Sequence, residues 1–358
     1  MARALRLARR GLWTTDPNPR VGCVLVRGGR AVGEGWHERA GGPHAEVAAL
    51  AAAGDAARGA TCYVTLEPCA HHGRTPPCAD ALVAAGVARV VAAMEDPNPQ
   101  VAGEGLARLR AAGIEAEAGL MAAEAEALNP GFLKRMRAGL PWVRVKLAAS
   151  LDGRTAMASG ESRWITSAQA RADVHRLRAR SSVVLTGSGT VRADDPALTA
   201  RPGGAPAARQ PLRVVLDSAL ATPPGARLFR EPGPVLILAA REDAGRRRAL
   251  EAAGAEVAVV EAATDGRVAL EAALRYLARR EANEVLVEAG PTLAGAFVAA
   301  GLADELVVYL APHLMGDAAR GMFALPGLER MEQRLALEIV ETRAVGPDLR
   351  IVARPRKR

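Results

Sequence analysis

A histidine and a glutamate two residues apart, His44 and Glu46, followed by Cys69 and Cys78, constrain this chain more than any other feature of it. One imidazole and two thiolates form the ligand set of a catalytic zinc that keeps its fourth position open. Glu46 is then left over for proton transfer. Residues 47–53 and 79–85 carry Ala-rich helical patterns, so His44, Glu46 and Cys78 fall at helix starts. The free N–H groups and partial positive charge there favour thiolate over thiol, and so favour metal. Other uses of the four cysteines weigh less. No secretory signal is legible, which disfavours disulfides, and a structural zinc would want a fourth protein ligand. Cys23 and Cys62 sit in strand-like apolar runs (21–26 and 61–65) and are expected to pack as small core hydrophobes. His71 and His72 lie between the two ligand cysteines, and at least one is expected at a pocket mouth.

At 358 residues the chain is long enough for two domains with separate cores. Aromatics are only 3% of it, so Ala, Val and Leu must fill the interior. No apolar run reaches the length of a membrane span. The basic start, residues 1–10, lacks an apolar core and cleavage site, and reads as an amphipathic first helix with little room before it. A cytoplasmic protein is expected. The net charge of +8 invites a nucleic-acid reading. It is set aside because the arginines are spread evenly, dense only at 354–358, without interleaved aromatics for base stacking. A phosphorylated small molecule also suits a basic protein.

The first 119 residues alternate strand-like and helix-like patterns: a hairpin at 21–26 and 31–34, then strands at 61–66 and 87–93 between helices. That order predicts a sheet covered by helices on both faces, with the ligands at its strand-to-helix turns. Residues 129–141, punctuated by Pro and Gly, read as the connection between domains. A second β-rich unit follows, with strands near 142–147, 182–186, 212–217, 235–239, 256–260, 284–288 and 305–310. Two Gly-bearing turns, at 186–190 and 288–295, each follow a strand. Singly they are ordinary turn chemistry. Paired on one sheet they allow a nucleotide site, although neither is a G-x-G-x-x-G fingerprint.

The His44-Ala45-Glu46 and Pro68-Cys69 segments match the zinc deaminase signature, in which Glu moves protons and is not a ligand. The second cysteine departs from it, lying beyond an eight-residue insert (70–77) in place of the usual two. Further segments are Asp16-Pro17-Asn18-Pro19-Arg20-Val21-Gly22-Cys23, Asp96-Pro97-Asn98-Pro99, Ser150-Leu151-Asp152-Gly153-Arg154-Thr155, Asp194-Asp195-Pro196-Ala197-Leu198-Thr199 and Glu288-Ala289-Gly290-Pro291-Thr292. Together these resemble the bifunctional riboflavin-biosynthesis family, a pyrimidine deaminase fused to a reductase, over nearly the whole chain. The insert has that family's spacing.

The resemblance implies an α/β protein: a cytidine-deaminase-like three-layer α/β/α domain over 1–140 and a dihydrofolate-reductase-like α/β domain over 141–358. It implies Zn2+ held by His44, Cys69 and Cys78, with Glu46 as the catalytic acid–base. NADPH is placed against Ala148, Trp164, Thr190, Asp194 and Ser218. The loop Gly290, Pro291, Thr292, Leu293, Ala294, Gly295 and Ala296 completes that site. The substrate, 2,5-diamino-6-ribosylamino-4(3H)-pyrimidinone 5′-phosphate, is placed against Asn18, Ser162, Arg178, Leu198, Arg201 and Glu288. Arg178 and Arg201 are expected as a phosphate clamp. The implied protein is a homo-oligomer acting on a small molecule, without nucleic-acid or membrane partners. A nucleic-acid base deaminase and a catalytically dead binding module are the rivals. The paired Gly turns argue against the first, and the intact Glu46 against the second.

Overall fold

The structure, a computed structural model, describes residues 1–70, 76–98 and 102–356. Contacts divide the chain between Leu140 and Pro141 into two units. In the first, the order is α1 (Ala2–Ala8), β1 (Gly22–Arg27), β2 (Arg30–Trp36), α2 (Ala45–Ala53), β3 (Thr61–Val64), α3 (Cys78–Ala85), β4 (Arg89–Ala92), α4 (Glu104–Ala111), β5 (Glu115–Ala118), α5 (Ala122–Leu128) and α6 (Pro130–Ala138). The sheet runs β2-β1-β3-β4-β5, antiparallel through β2, β1 and β3 and parallel from β3 to β5.

Period-two alternation along β1 builds the layers. Cys23 and Leu25 join Ala45, Ala49, Leu82 and Leu109 in the core beneath α2, α3 and α4. Val24 turns the other way and packs on Ala4 and Leu7 of α1. On that same side Leu5 meets Ala125 of α5 and Leu133 of α6. Gly33 and Gly35 lie so close to α2 that a Cβ on either would strike the Ala49 or Ala45 carbonyl oxygen. Cys23 and Cys62 are fully buried with sulfurs 3.4 Å apart, as their apolar surroundings predicted.

The expected connection at 129–141 is instead mostly helix α6. Its Pro130 occupies the first turn, where the missing N–H costs nothing, and Gly139 (φ 65°) supplies the left-handed C-cap. The same residues that look like breakers therefore frame a helix. Asn129 ties it down: its Oδ1 accepts the Arg20 N–H (2.8 Å) and its Nδ2 donates to the Arg20 carbonyl (3.0 Å).

The second unit contains β6 (Trp142–Ser150), β7 (Arg154–Ala156), α7 (Ala168–Arg180), β8 (Val183–Gly187), α8 (Ser188–Asp194), β9 (Leu212–Leu216), β10 (Val235–Ala239), α9 (Ala244–Ala252), β11 (Glu256–Val259), α10 (Leu270–Arg279), β12 (Glu284–Glu288), α11 (Pro291–Ala299), β13 (Glu305–Ala311), β14 (Arg320–Gly321), β15 (Leu337–Val345) and β16 (Asp348–Pro355). Nine strands form one sheet in the order β11-β10-β9-β8-β12-β6-β13-β16-β15. It is parallel from β11 to β13, and β13, β16 and β15 are antiparallel. Strands such as β8 (Val183–Gly187) and β10 (Val235–Ala239) are almost wholly apolar because both faces are covered. The C-terminal hairpin β15–β16 was missed by pattern reading, since Glu338, Glu341 and Arg343 interrupt its apolar residues.

β12 enters between β8 and β6, although β9 to β11 have already extended the sheet beyond β8. This reversal of strand order leaves a crevice at the carboxyl ends of β8, β12 and β6, where open α/β sheets bind ligands. Below it, Arg144 on β6 is buried between Glu284 of β12 and Glu305 of β13. That ion cluster spans three neighbouring strands, so all three must be in register to keep the guanidinium paired.

Candidate metal centre and cofactor cleft

In the first unit, α2 and α3 begin beside one another and each delivers a ligand. His44 is the N-cap of α2, and Cys78 opens α3. Cys69 arrives on the loop after β3. Its carbonyl accepts the Ala79 N–H (3.1 Å), and its sulfur accepts the Cys78 N–H (3.3 Å). His44 Nδ1 lies 3.2 Å from Cys78 Sγ and 3.7 Å from Cys69 Sγ, and the three ligand atoms all fall within 4.8 Å. A tetrahedral zinc with ordinary bond lengths would put its nitrogen and sulfur ligands about 3.6 Å apart. The triad fits that ion.

The charges around the triad suit metal capture. Hydrogen bonds from Cys78 and His44 bring the Cys69 thiol down to about 4, while its own burial opposes them. Cys78 keeps its proton because Cys69 and burial both disfavour a second thiolate. A metal ion replaces that proton. Glu46, 4% exposed on the first turn of α2, is pushed up to about 7, by burial above all. A carboxyl so placed is poised to give and take a proton near neutral pH.

Two supporting residues escaped the sequence reading. His37 is buried 5.5 Å from the His44 ring, edge to face. Its Nδ1 donates to the Pro43 carbonyl (2.9 Å), which leaves Nε2 to accept from Asn18 Nδ2 (3.0 Å). Burial lowers its pKa, in keeping with a neutral ring. Asn18 is thereby oriented through its amide nitrogen, with its carbonyl oxygen left for other uses. Glu67 is also buried, and its carboxylate accepts the N–H groups of Asp96 (2.9 Å), Gly103 (3.0 Å) and Leu106 (3.1 Å). It pins the Cys69 loop to the start of α4. A buried acid one residue before Pro68-Cys69 was the available signal, and the ligand pattern overshadowed it. His71 and His72 lie outside the described residues.

In the second unit, the crevice is a cavity of about 1640 Å³. Glu288, the last residue of β12, forms its floor. Arg178 grips Glu288 with a two-pronged bond (2.5 and 2.9 Å), and Lys146 Nζ is 3.8 Å away. Burial would raise the Glu288 carboxyl, but the charge and hydrogen bonds of Arg178, with Lys146, hold it near 2. Lys146 is lowered, chiefly by burial. Above this floor the two Gly-bearing turns face each other. Gly290 caps α11 and donates to Thr190 Oγ1 (3.4 Å). A Cβ on Gly189 or Gly290 would meet no protein atom within 4 Å, so both turns leave open space where a dinucleotide's phosphates fit.

Of the expected contacts, Ala148, Ser162, Arg178, Thr190, Asp194, Leu198 and Ser218 line this cavity. So do Glu288, Gly290, Pro291, Thr292, Leu293 and Ala296. Trp164, Arg201, Ala294 and Gly295 do not. Trp164 is 70% exposed under the Arg171 guanidinium, 4.5 Å from its ring centre. Ala294 and Gly295 are on the inward face of α11, where a Cβ on Gly295 would hit the Ala324 carbonyl. Helical periodicity separates them from Leu293 and Ala296. The expected phosphate clamp of Arg178 with Arg201 is altered too. Arg178 spends its Nε and Nη2 on Glu288 and Nη1 on the Thr199 carbonyl (3.1 Å).

Comparison with known proteins agrees with both units. The cytidine and deoxycytidylate deaminase zinc-binding region matches residues 1–94, and the RibD C-terminal domain matches residues 141–351. The riboflavin biosynthesis protein RibD of Escherichia coli is 55% identical over 98% of this chain and 96% of its own length. The chain belongs to the RibD family. The Haemophilus influenzae RibD is 48% identical over 99% of this chain and 96% of its own. Among solved structures, Acinetobacter baumannii RibD superposes with a TM-score of 0.91 at 45% identity, covering 99% of this chain and 98% of that one. A diaminohydroxyphosphoribosylaminopyrimidine deaminase/5-amino-6-(5-phosphoribosylamino)uracil reductase from Thermotoga maritima superposes at 0.86, with 35% identity over 99% and 97% of the two chains. RibD membership confirms the expected pair of folds, deaminase-like then reductase-like. Zn2+ and NADPH are the cofactors of that pair. No helix among the described residues is long and apolar enough to cross a membrane.

Proposed function

We propose that this chain carries the two reactions on separate units, deamination within residues 1–140 and reduction within 141–358, with the residue roles that follow. It is a bifunctional zinc-dependent deaminase and NADPH-dependent reductase of riboflavin biosynthesis. The substrate is 2,5-diamino-6-ribosylamino-4(3H)-pyrimidinone 5′-phosphate, whose 2-amino group is replaced by oxygen before the ribosyl unit is reduced to ribityl. The observation that carries the first half is one buried carboxyl, Glu46, beside a His44/Cys69/Cys78 triad of zinc dimensions.

Zinc held there supplies Lewis acidity that lowers the pKa of water towards neutrality. Glu46 takes the proton from that water and passes it to the departing amine, which leaves as ammonia. Asn18, held by His37, presents its carbonyl oxygen to the ring or ribose. In the second unit, NADPH supplies the hydride, and the protein's part is to position the cofactor and the sugar. Glu288, clamped by Arg178, offers a fixed carboxylate to sugar hydroxyls. Ala148, Thr190, Asp194, Ser218 and the cavity-facing residues of the 290–296 turn hold the cofactor. Ser162 and Leu198 border the sugar.

The reading extends to a cytoplasmic homo-oligomer that uses neither nucleic acid nor membrane. A metal site built on Cys69 and Cys78 suits a reducing compartment. Arginines such as Arg144 and Arg213 are buried and paired within the fold, which supports setting aside a nucleic-acid footprint. The exposed edge strand β15, with Ile339 at 65% exposure, supports association with a second copy.

The deciding experiment follows ammonia release and NADPH oxidation by zinc-loaded protein given the diaminopyrimidine phosphate. Ammonia should appear without NADPH, and NADPH oxidation only after deamination. In Glu46→Gln, zinc content should persist while ammonia release falls by about 10²- to 10⁴-fold. Loss of zinc together with activity would show that Glu46 is a ligand.

A further inference from the structure

Beyond the pyrophosphate turns, the cavity continues past the end of β9, and this far end holds charges that no role above has used. We infer that Arg267 reads the 2′-phosphate of the dinucleotide and so sets the preference of the reductase unit for NADPH over NADH. The inference rests on the reading of this cavity as the cofactor cleft.

The direction of the cofactor follows from the fold. The sugar end lies at β6 and β12, where Lys146 and Glu288 stand, and the phosphates fall between the Gly189 and Gly290 turns on β8 and β12. The adenosine half must then lie over β8 and β9, against Ser218 and the loop before α10. In dinucleotide enzymes an acidic residue at such a strand end bonds the ribose 2′-hydroxyl and repels a 2′-phosphate, whereas an arginine there accepts the phosphate.

Here the acid is present at the cavity wall, but one of its carboxylate oxygens is already committed within the fold. Asp217, directly after β9, is 2% exposed, and its Oδ2 accepts both the N–H and the hydroxyl of Thr222 at 2.6 Å. Neither bond would survive if that oxygen turned to a ribose hydroxyl. The neighbouring Ser218 instead fastens the opposite wall, because its Oγ accepts the Val268 N–H at 3.0 Å. Ala263 and Arg267 close a tight turn there through Ala263 N–H to Arg267 O (2.7 Å), and Ala262 bridges Val268. The backbone that carries Arg267 is thereby tied to the residue under the adenosine ribose.

Apart from Lys146, Arg178 and Glu288 at the floor and Asp217 at the wall, the other charges lining the cavity are Arg192, Asp194, Asp265, Glu271 and Arg320. Glu271 is neutralised by Arg275 (2.6 and 3.1 Å). Asp265 accepts the Arg267 backbone N–H (3.0 Å) and otherwise makes only a loose pair to Arg267 Nε, 3.6 Å apart with both side chains more than half exposed. Such a pair contributes little, so the guanidinium is available to a phosphate, for which its planar fork is suited.

Calorimetric titration of the full chain with NADP+ and with NAD+, which differ only in the 2′-phosphate, tests this. Arg267→Gln should weaken NADP+ by about tenfold or more and leave NAD+ within about twofold. Arg267 lies on an exposed turn, and Arg192→Gln serves as the comparison on the other wall. Equal NADP+ affinity in wild type and Arg267→Gln, or a loss confined to Arg192→Gln, would overturn the assignment and leave the cofactor cleft standing. A wild-type chain that binds no NADP+ would overturn both.

Discussion

Two glutamates with opposite surroundings do different work in this chain. Burial dominates at Glu46, the nearby His44 offsets it only in part, and the carboxyl rises to about 7. Glu288 is also largely enclosed, but Arg178 and Lys146 hold it near 2. The sign of its contribution to stability follows. A carboxylate depressed in the folded state stabilises the fold fully above the unfolded value near 4.5 and loses that contribution as pH falls towards 2. The urea midpoint of the chain should therefore drop more steeply between pH 4.5 and 2 in wild type than in Glu288→Gln. Equal slopes would mean that Glu288 is protonated together with its unfolded counterpart. Glu67 gives a third case, in which a buried carboxylate organises backbone. Glu67→Gln replaces an acceptor with an N–H₂ group facing N–H donors, and should destabilise by about 1–3 kcal/mol. A competition titration with a zinc chelator should show weaker zinc retention, since the Cys69 loop is what Glu67 fastens.

Among the elements, close approach decides positions that propensity alone would not. Gly105 sits in α4, where alanine would be the better helix former. A Cβ there would collide with the Pro68 carbonyl oxygen, next to the ligand Cys69. Gly105→Ala is thus expected to lower the thermal midpoint, by an overpacking term of about 1–3 kcal/mol that exceeds the propensity gain. A raised midpoint would mean that α4 moves aside freely. The α6 segment makes the complementary point. Its Pro and Gly are the usual signs of a linker, but Pro in a first helical turn and Gly after a last one are equally the marks of a helix of nine residues. Only the packing of Leu133 against Leu5 and Ala125 settles which reading applies.

At the scale of the whole molecule, each unit has its own core and its own chemistry. Removing zinc should therefore act on one of them. A strong chelator should abolish ammonia release and lower the melting transition of the deaminase unit, because a metal that binds only the folded state stabilises it. NADP+ binding and the melting transition that NADP+ raises should be unchanged. A shift of both transitions by chelation would show that the two units unfold as one.

The residue types of the metal-binding triad and the alternation of strands and helices were legible in the chain alone. The chemistry of His44, Glu46, Cys69 and Cys78 depends on residue type and short spacing, and strands such as β8 and β10 show as apolar runs, whereas the parallel edge strand β5 (Glu115–Ala118) has no such pattern. The cavity-lining residues that were expected were legible only through the family resemblance, and the others, Arg267 and Lys146 among them, were not. The tertiary structure decided the remainder, since it depends on contacts between distant positions. Residues 109 apart in the chain meet where Asn129 caps Arg20, and residues 110 apart meet where Arg178 grips Glu288. Helical rotation turned Ala294 and Gly295 inward, and the Thr222 bonds committed one carboxylate oxygen of Asp217 to the fold. No local pattern encodes those directions, because each is set by what the rest of the fold leaves unpaired.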